Sequence, residues 1–142
     1  MDLQQMSDRL EIQEVLIRYT RAIDTGDWDR LDTVFTADAA IDYTQSGGIA
    51  DTYAVVKPWL AKNLPIFPMR MHTLGQVEIG YDPTGDEADV AAYFHNPMMM
   101  PGGDGPDLLI EFGGIYQHRM VRTVDGWRSR ALFEEIIWKR GI

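Results

Sequence analysis

A chain of 142 residues has material for one hydrophobic core and not for two. Its 45% hydrophobic and 25% charged residues exclude an intrinsically disordered polypeptide and a membrane span. With 22 acidic against 13 basic side chains the formal net charge is -9, which repels phosphate backbones and anionic lipid, so neither nucleic acid nor a membrane is an expected partner.

The opening MDLQQMSDRL lacks a basic start followed by an apolar stretch, so no secretory leader is expected and the chain reads as cytoplasmic. From Leu3 to Thr25 the residues Ile12, Val15, Leu16, Tyr19, Ala22 and Ile23 recur at spacings of three and four, one stripe of an amphipathic helix. Gly26 is placed to stop it, and Asp27 to N-cap a second, shorter helix carrying Trp28, Leu31, Val34 and Phe35. Residues 37–44 read as a short strand, 45–48 as a turn, and 53–64 as a third helix interrupted by Pro58. After Pro68 the period becomes two. Val77, Ile79 and Tyr81, turn residues 82–85, and Val90, Ala92 and Phe94 make a hairpin. Residues 98–100 and GGDG read as loop before Leu108, Ile110, Phe112, Tyr116 and Met120 restart the alternation. An Asp125-Gly126 turn then returns the chain through Trp127, Ser129, Ala131 and Phe133. Helices first and an antiparallel meander second predict an α+β fold. Without cysteine there are no disulfides, thiolate metal sites or Cys nucleophile.

Two stretches carry a family resemblance. The string RYTRAIDTGDWDRLDTVFTADAAIDY, residues 18–43, resembles the opening of SnoaL-like domains, the group that includes scytalone dehydratase and hexachlorocyclohexane dehydrochlorinase. His72 at the start of the first long strand, and Tyr116 followed by VDGWRSR, resemble later parts of the same domains. The resemblance implies one SnoaL-like domain over residues 1–142. It also implies a cone of strongly curved, mixed but mostly antiparallel sheet around N-terminal helices, enclosing one deep pocket. In the two named enzymes an Asp ending the first helix pairs with a His from the sheet, positions that match Asp24 and His72. The IDY tyrosine matches Tyr43. Ile23 replaces a tyrosine of scytalone dehydratase, whose second pocket histidine falls near Met100 and pocket asparagine near Gln117. These departures argue against scytalone as substrate and leave proton abstraction next to an activating group.

The residues themselves carry part of this. Asp24 faces the negative end of a helix dipole, which costs about 0.3 to 1 kcal/mol and calls for compensation. Either it points into a cavity beside Tyr19 and Ile23, or it is a solvated residue that helps end the helix. His72 beside a carboxylate is a general base of the usual kind; alone, it is equally a half-exposed strand histidine. Its parity opposes Val77 and Ile79, so a bulge is expected at Gly75. Tyr43 and Tyr19 are candidate donors to a carbonyl or leaving hydroxyl, or core aromatics with satisfied hydroxyls. Trp28 and Trp127 match positions of the resembling motif and read as packing residues, and Trp28 joins Tyr19, Ile23, Phe94, Met100 and Gln117 as a candidate substrate contact. A turn about Pro83 and Thr84 sets His95 opposite His72, with His118 on the next strand; the resemblance is to metal-free enzymes, so no metal or cofactor is expected. Met98 to Met100 form either an apolar lid or part of an oligomer contact.

The reading is a cofactor-free lyase of dehydratase type. It acts on a small apolar, cyclic or aromatic-derived molecule, with His72 as base, Asp24 orienting it and Tyr43 polarising the leaving group. The rivals are a non-catalytic member of the fold that binds a small molecule or a protein, and a ketosteroid-isomerase-like isomerase. The resembling proteins are trimers or dimers, which implies a homo-oligomer through the outer sheet face, with Trp138 or Ile137 in contact.

Overall fold

Asp2 starts helix α1 (Leu3–Thr25) with a reciprocal cap: its carboxylate accepts the Gln5 N–H at 2.8 Å, and the Gln5 side chain accepts the Asp2 N–H at 3.0 Å. Gly26 ends the helix at φ 71°, a left-handed conformation in which its N–H turns back to the last-turn carbonyls. The structure, a computed structural model, describes residues 1–142. The expected second helix is a 3-10 segment, Trp28–Thr33, and Asp27 makes no side-chain cap. Its ψ of 74° lies outside the extended conformation that an N-cap adopts.

Strand β1 (Phe35–Asp42) leads through a 3-10 turn, Thr44–Ser46, into a three-residue strand β2 (Ala50–Thr52) that periodicity had no length to reveal. Helix α2 (Tyr53–Asn63) accommodates Pro58 internally, and the 3-10 segment Leu64–Ile66 follows. The remainder is sheet: β3 (Met69–Arg70), β4 (Thr73–Tyr81), β5 (Glu87–Met100), β6 (Leu108–Thr123) and β7 (Gly126–Arg140). Residues 98–100 are therefore strand and not loop. Pro97 is tolerated because its carbonyl takes the Met71 N–H at 3.1 Å, so its missing N–H faces the same side, at the break between β3 and β4.

The strand order is β2-β1-β7-β6-β5-β3, with β4 also paired to β5. Only β1 and β7 run parallel. The sheet is thus mixed, mostly antiparallel and open. Register shifts curve it. One lies between Leu74 and Val77, at the expected Gly75 position, so that His72 and Leu74 face inward before it and Val77 and Ile79 after it. The hairpin turns one residue later than Pro83 and Thr84, setting Tyr81 against Ala88, so that even after this shift His95 pairs with Thr73 and not with His72. A second, opposite Arg119 and Met120, skips Arg130 in β7. Trp127 and Ser129 face inward before it, Leu132 and Glu134 after it. Phe133, expected inward with Trp127, lies on the outer face. At a further shift in the same pair Gly114 sits so close to β7 that a Cβ there would lie 2.0 Å from the Glu135 carbonyl oxygen.

The concave face of this sheet and the apolar stripe of α1 bury one cluster, with Ile12, Val15, Leu16, Met120, Trp127 and Leu132 at its centre. Tyr116 joins it to the cavity end, stacked on Phe94 at 4.0 Å and edge-on to Tyr19 at 5.1 Å. No helix is long and apolar enough to cross a membrane.

Candidate active site

The stripe that buries α1 sets Tyr19 and Ile23 against the cavity and Asp24 one position round from them. His72 comes from the two-residue break between β3 and β4, where the chain is free to turn its backbone toward the end of α1. Both carboxylate oxygens of Asp24 are used by that residue. Oδ1 meets His72 Nδ1 at 2.6 Å, and Oδ2 accepts the His72 backbone N–H at 2.9 Å. A carboxylate only accepts, so the ring proton lies on Nδ1 and Nε2 carries the free lone pair. The His72 side chain is 3% exposed and that of Asp24 16%.

Asp24 is compensated against the helix dipole from a second direction. The Arg70 guanidinium donates to Ile23 O at 3.0 Å and, at the limit of hydrogen-bond range, to Asp24 O at 3.5 Å. Its other donors reach Leu64 O at 3.2 Å and Phe67 O at 2.9 Å. One cation thereby closes the carbonyl end of α1 and ties it to the segment after α2. Trp28 lies under this guanidinium, with its ring centre 5.7 Å away.

His72 opens on a cavity of about 340 Å³, thirteen of whose twenty lining residues are hydrophobic. Trp59, Leu60 and Phe67 form one wall, and Met98, Ile110 and Phe112 another. Its polar groups are few. Tyr19 and Tyr43 share a hydrogen bond of 2.6 Å in which one hydroxyl donates to the other, and burial raises both well above the ordinary phenol range, so both stay neutral. Asn96 Oδ1 is buried in the same wall with no hydrogen-bond partner, and Tyr116 and Glu134 are buried there beside each other. Burial pushes the Glu134 carboxyl up to about 7, against the opposing pull of the Ser46 and Tyr116 hydroxyls.

This architecture has relatives. A SnoaL-like domain model matches residues 4–132. The chain belongs to the SnoaL-like domain family. An uncharacterized protein of Mycobacterium tuberculosis is 45% identical over 125 residues, 87% of this chain and 82% of that protein. Among solved structures, the Kfla4162 protein of Kribbella flavida is 26% identical, with a TM-score of 0.86 over 96% of this chain and 95% of its own. Hexachlorocyclohexane dehydrochlorinase LinA-type3 of Novosphingobium barchaimii is 15% identical, with a TM-score of 0.84 over 100% and 94%, and shares the fold. That fold is the open cone of the nuclear transport factor 2-like proteins.

Within this SnoaL-like cone, the structure gathers Asp24, His72, Tyr43, Tyr19 and Ile23 at one place. Four expected contacts stand elsewhere. Trp28 braces Arg70 outside the cavity; Phe94 lies behind the wall, stacked on Tyr116; Met100 pairs with Leu108 beyond it. Gln117 follows the inward Tyr116 and so points outward. In their stead the wall takes Asn96, Met98, Tyr116 and Glu134. The parity of Val90, Ala92 and Phe94 already pointed to Asn96, and to Met98 had β5 been continued past Pro97. Glu134 carried no such signal, because the skip at Arg130 turns it inward.

The three histidines lie apart. His95 is on the outer face, 3.1 Å from Glu111 and beside Trp138. His118 is in the core, where Ser129 donates to the Ala131 carbonyl at 3.0 Å and accepts from His118 Nδ1 at 2.8 Å. Burial lowers His118 to about 3, so it is neutral in the folded protein. No group of three His, Asp or Glu side chains is disposed to hold a metal ion.

Proposed function

We propose that the protein is a lyase that removes a proton from an activated C–H group and eliminates the neighbouring substituent, using only its own side chains. The observation that carries this is the double use of Asp24: one oxygen orients the His72 ring and the other anchors its backbone. An imidazole held this way needs no reorganisation to accept a proton at Nε2, and the carboxylate stabilises the imidazolium that forms. Tyr43, in contact with Tyr19, supplies a neutral donor to charge developing on a carbonyl or leaving group. A cavity of about 340 Å³ with mostly apolar walls suits a substrate of one or two rings. A binding protein has no use for a histidine whose free nitrogen is aligned by a carboxylate at 2.6 Å, which favours the enzyme over the non-catalytic reading.

The test uses 5-nitrobenzisoxazole, a flat bicyclic C–H acid whose ring opening is followed by colour. Wild-type protein is expected to open it with saturation kinetics. His72→Ala should lower kcat/KM by about a hundred- to ten-thousand-fold. Equal rates for the two proteins refute the base.

A homo-oligomer belongs to the same reading. The outer sheet face exposes Tyr93, Phe133, Ile137 and Trp138, an apolar set suited to a second copy. Light scattering at micromolar concentration should give a dimer or trimer mass, and a monomer mass rejects it.

A further inference from the structure

Asp24 stands in the last turn of α1, a turn that holds no basic residue of its own. The cation it needs comes from the sheet. Arg70 and His72 have the same parity on either side of Met71, so both face the end of α1. His72 meets the Asp24 carboxylate through its ring and its backbone N–H, while Arg70 meets the carbonyls of Ile23 and Asp24 through its guanidinium. The partners of Arg70 are all neutral. Its four hydrogen bonds go to main-chain carbonyls, two on α1 and two, Leu64 O and Phe67 O, on the segment after α2. Leu64 and Phe67 in turn line the cavity. Gly26, where a Cβ would lie 3.4 Å from a guanidinium nitrogen, leaves room for this arrangement. Burial works against the charge on Arg70, and the nearby Asp24 carboxylate works for it.

We propose that Arg70 is a positioning residue of the site, which holds the end of α1 where the Asp24 carboxylate meets His72 and ties that contact to the cavity wall at Leu64 and Phe67. Only its kinetic consequence rests on the elimination reading; the geometry it sets belongs to the folded chain. A helix end frays unless its last carbonyls find partners, and the Ile23 carbonyl has, besides Arg70, the Gly26 N–H at 3.4 Å. Fraying there carries Asp24 away from the ring. Without its carboxylate the ring is free to place the proton on Nε2, the atom that must stay open. An ammonium is a single point and cannot replace the planar fork, which reaches two segments at once. A molecule filling the cavity presses on Leu64 and Phe67, and so on the same guanidinium that holds Asp24.

The first measurement is independent of turnover. At a pH where the ring is neutral, the ring 15N shifts of His72, assigned by their loss in His72→Ala, should show the proton on Nδ1 in the wild type. Arg70→Met should give a mixture of both tautomers. An unchanged Nδ1–H form in Arg70→Met overturns the proposal, and so does a mixture in the wild type. Failure of the wild type to open 5-nitrobenzisoxazole removes the base and leaves this result standing.

The second measurement is kinetic. Arg70→Met should lower kcat at least tenfold in the wild-type background and less than threefold in Asp24→Asn, because its effect passes through that carboxylate. KM should rise in both backgrounds through the loosened wall. Equal kcat losses in the two backgrounds refute the positioning role, and an unchanged KM removes the tie to the wall. Arg70→Lys, which keeps the charge and loses the fork, should move the tautomer and kcat in the same direction, and decides the matter should the Met variant not fold.

Discussion

Asp24→Asn is expected to reduce kcat/KM on 5-nitrobenzisoxazole by about a hundred- to ten-thousand-fold, as much as removing His72 itself. The reason is a tautomer. The Asp24 carboxylate can only accept, so it keeps the His72 proton on Nδ1 and the lone pair on Nε2. Asparagine in the same place satisfies the His72 backbone N–H, bonded at 2.9 Å, through its carbonyl. Its amide then faces Nδ1 and donates. The ring proton moves to Nε2, and the atom that should accept a substrate proton already holds one. Stability should change by less than about 1 kcal/mol, since a lost charged hydrogen bond is offset by removing an anion from the carbonyl end of α1. Kinetics and thermal unfolding on one sample separate the two effects. Turnover within threefold of wild type refutes the role.

The largest loss of stability is expected far from the cavity, from Arg122→Ala, at about 3 to 5 kcal/mol. Asp8 on α1 is buried, and both its oxygens are held by Arg122 at 2.8 Å. The Trp127 indole donates to it at 3.1 Å and Gln4 at 2.9 Å. Arg122 also lies over the Trp127 ring at 4.8 Å and reaches Asp86 at 3.0 Å. Removing the guanidinium strands a buried carboxylate between helix and sheet. The pH dependence has a definite sign. Arg122, aided by Trp127 and Gln4, lowers the Asp8 carboxyl to about 2 against its burial, below the ordinary 3.8, so the unfolded chain takes up the proton first as pH falls. The contribution is complete above about pH 4 and disappears toward pH 2. Urea unfolding should therefore show the full gap between variant and wild type at pH 7 and a smaller one at pH 3. His118, neutral when folded, weakens both proteins alike as pH drops below its ordinary range, and cancels in that difference. A gap below 1 kcal/mol at pH 7 refutes the network.

Periodicity explains which parts of this molecule could be read in advance. Helix α1 and its Gly26 stop follow from the spacing of Ile12 to Ile23, and the meander from alternation after Pro68. The neighbourhood of Asp24 and His72 followed from the family resemblance, and the Gly75 bulge from a parity conflict that only an extra residue resolves. What escaped were places where alternation is broken by contacts distant in sequence. Glu134 faces the cavity, and Phe133 solvent, only because Arg130 is skipped against β6. Met98 lay beyond Pro97, which reads as a terminator until the gap between β3 and β4 is seen to lie beside it, and Asn96 stood next to that expected end. Gln117 and Met100 were placed by counting along a relative without gaps, and counting fails across bulges.

The parallel pairing of β1 with β7 also governs when this protein can fold. β7 is an interior strand, lying between β1 and β6, so the β1–β2 pair has no place in the main sheet until residues 129–133 have been made. During synthesis the part of the α1 stripe that packs on β7 stays uncovered after β3 and β4 are in place, and Asp8 is separated by 114 residues from Arg122. Closing so long a loop makes slow folding the expected behaviour, with an apolar helix face left exposed meanwhile.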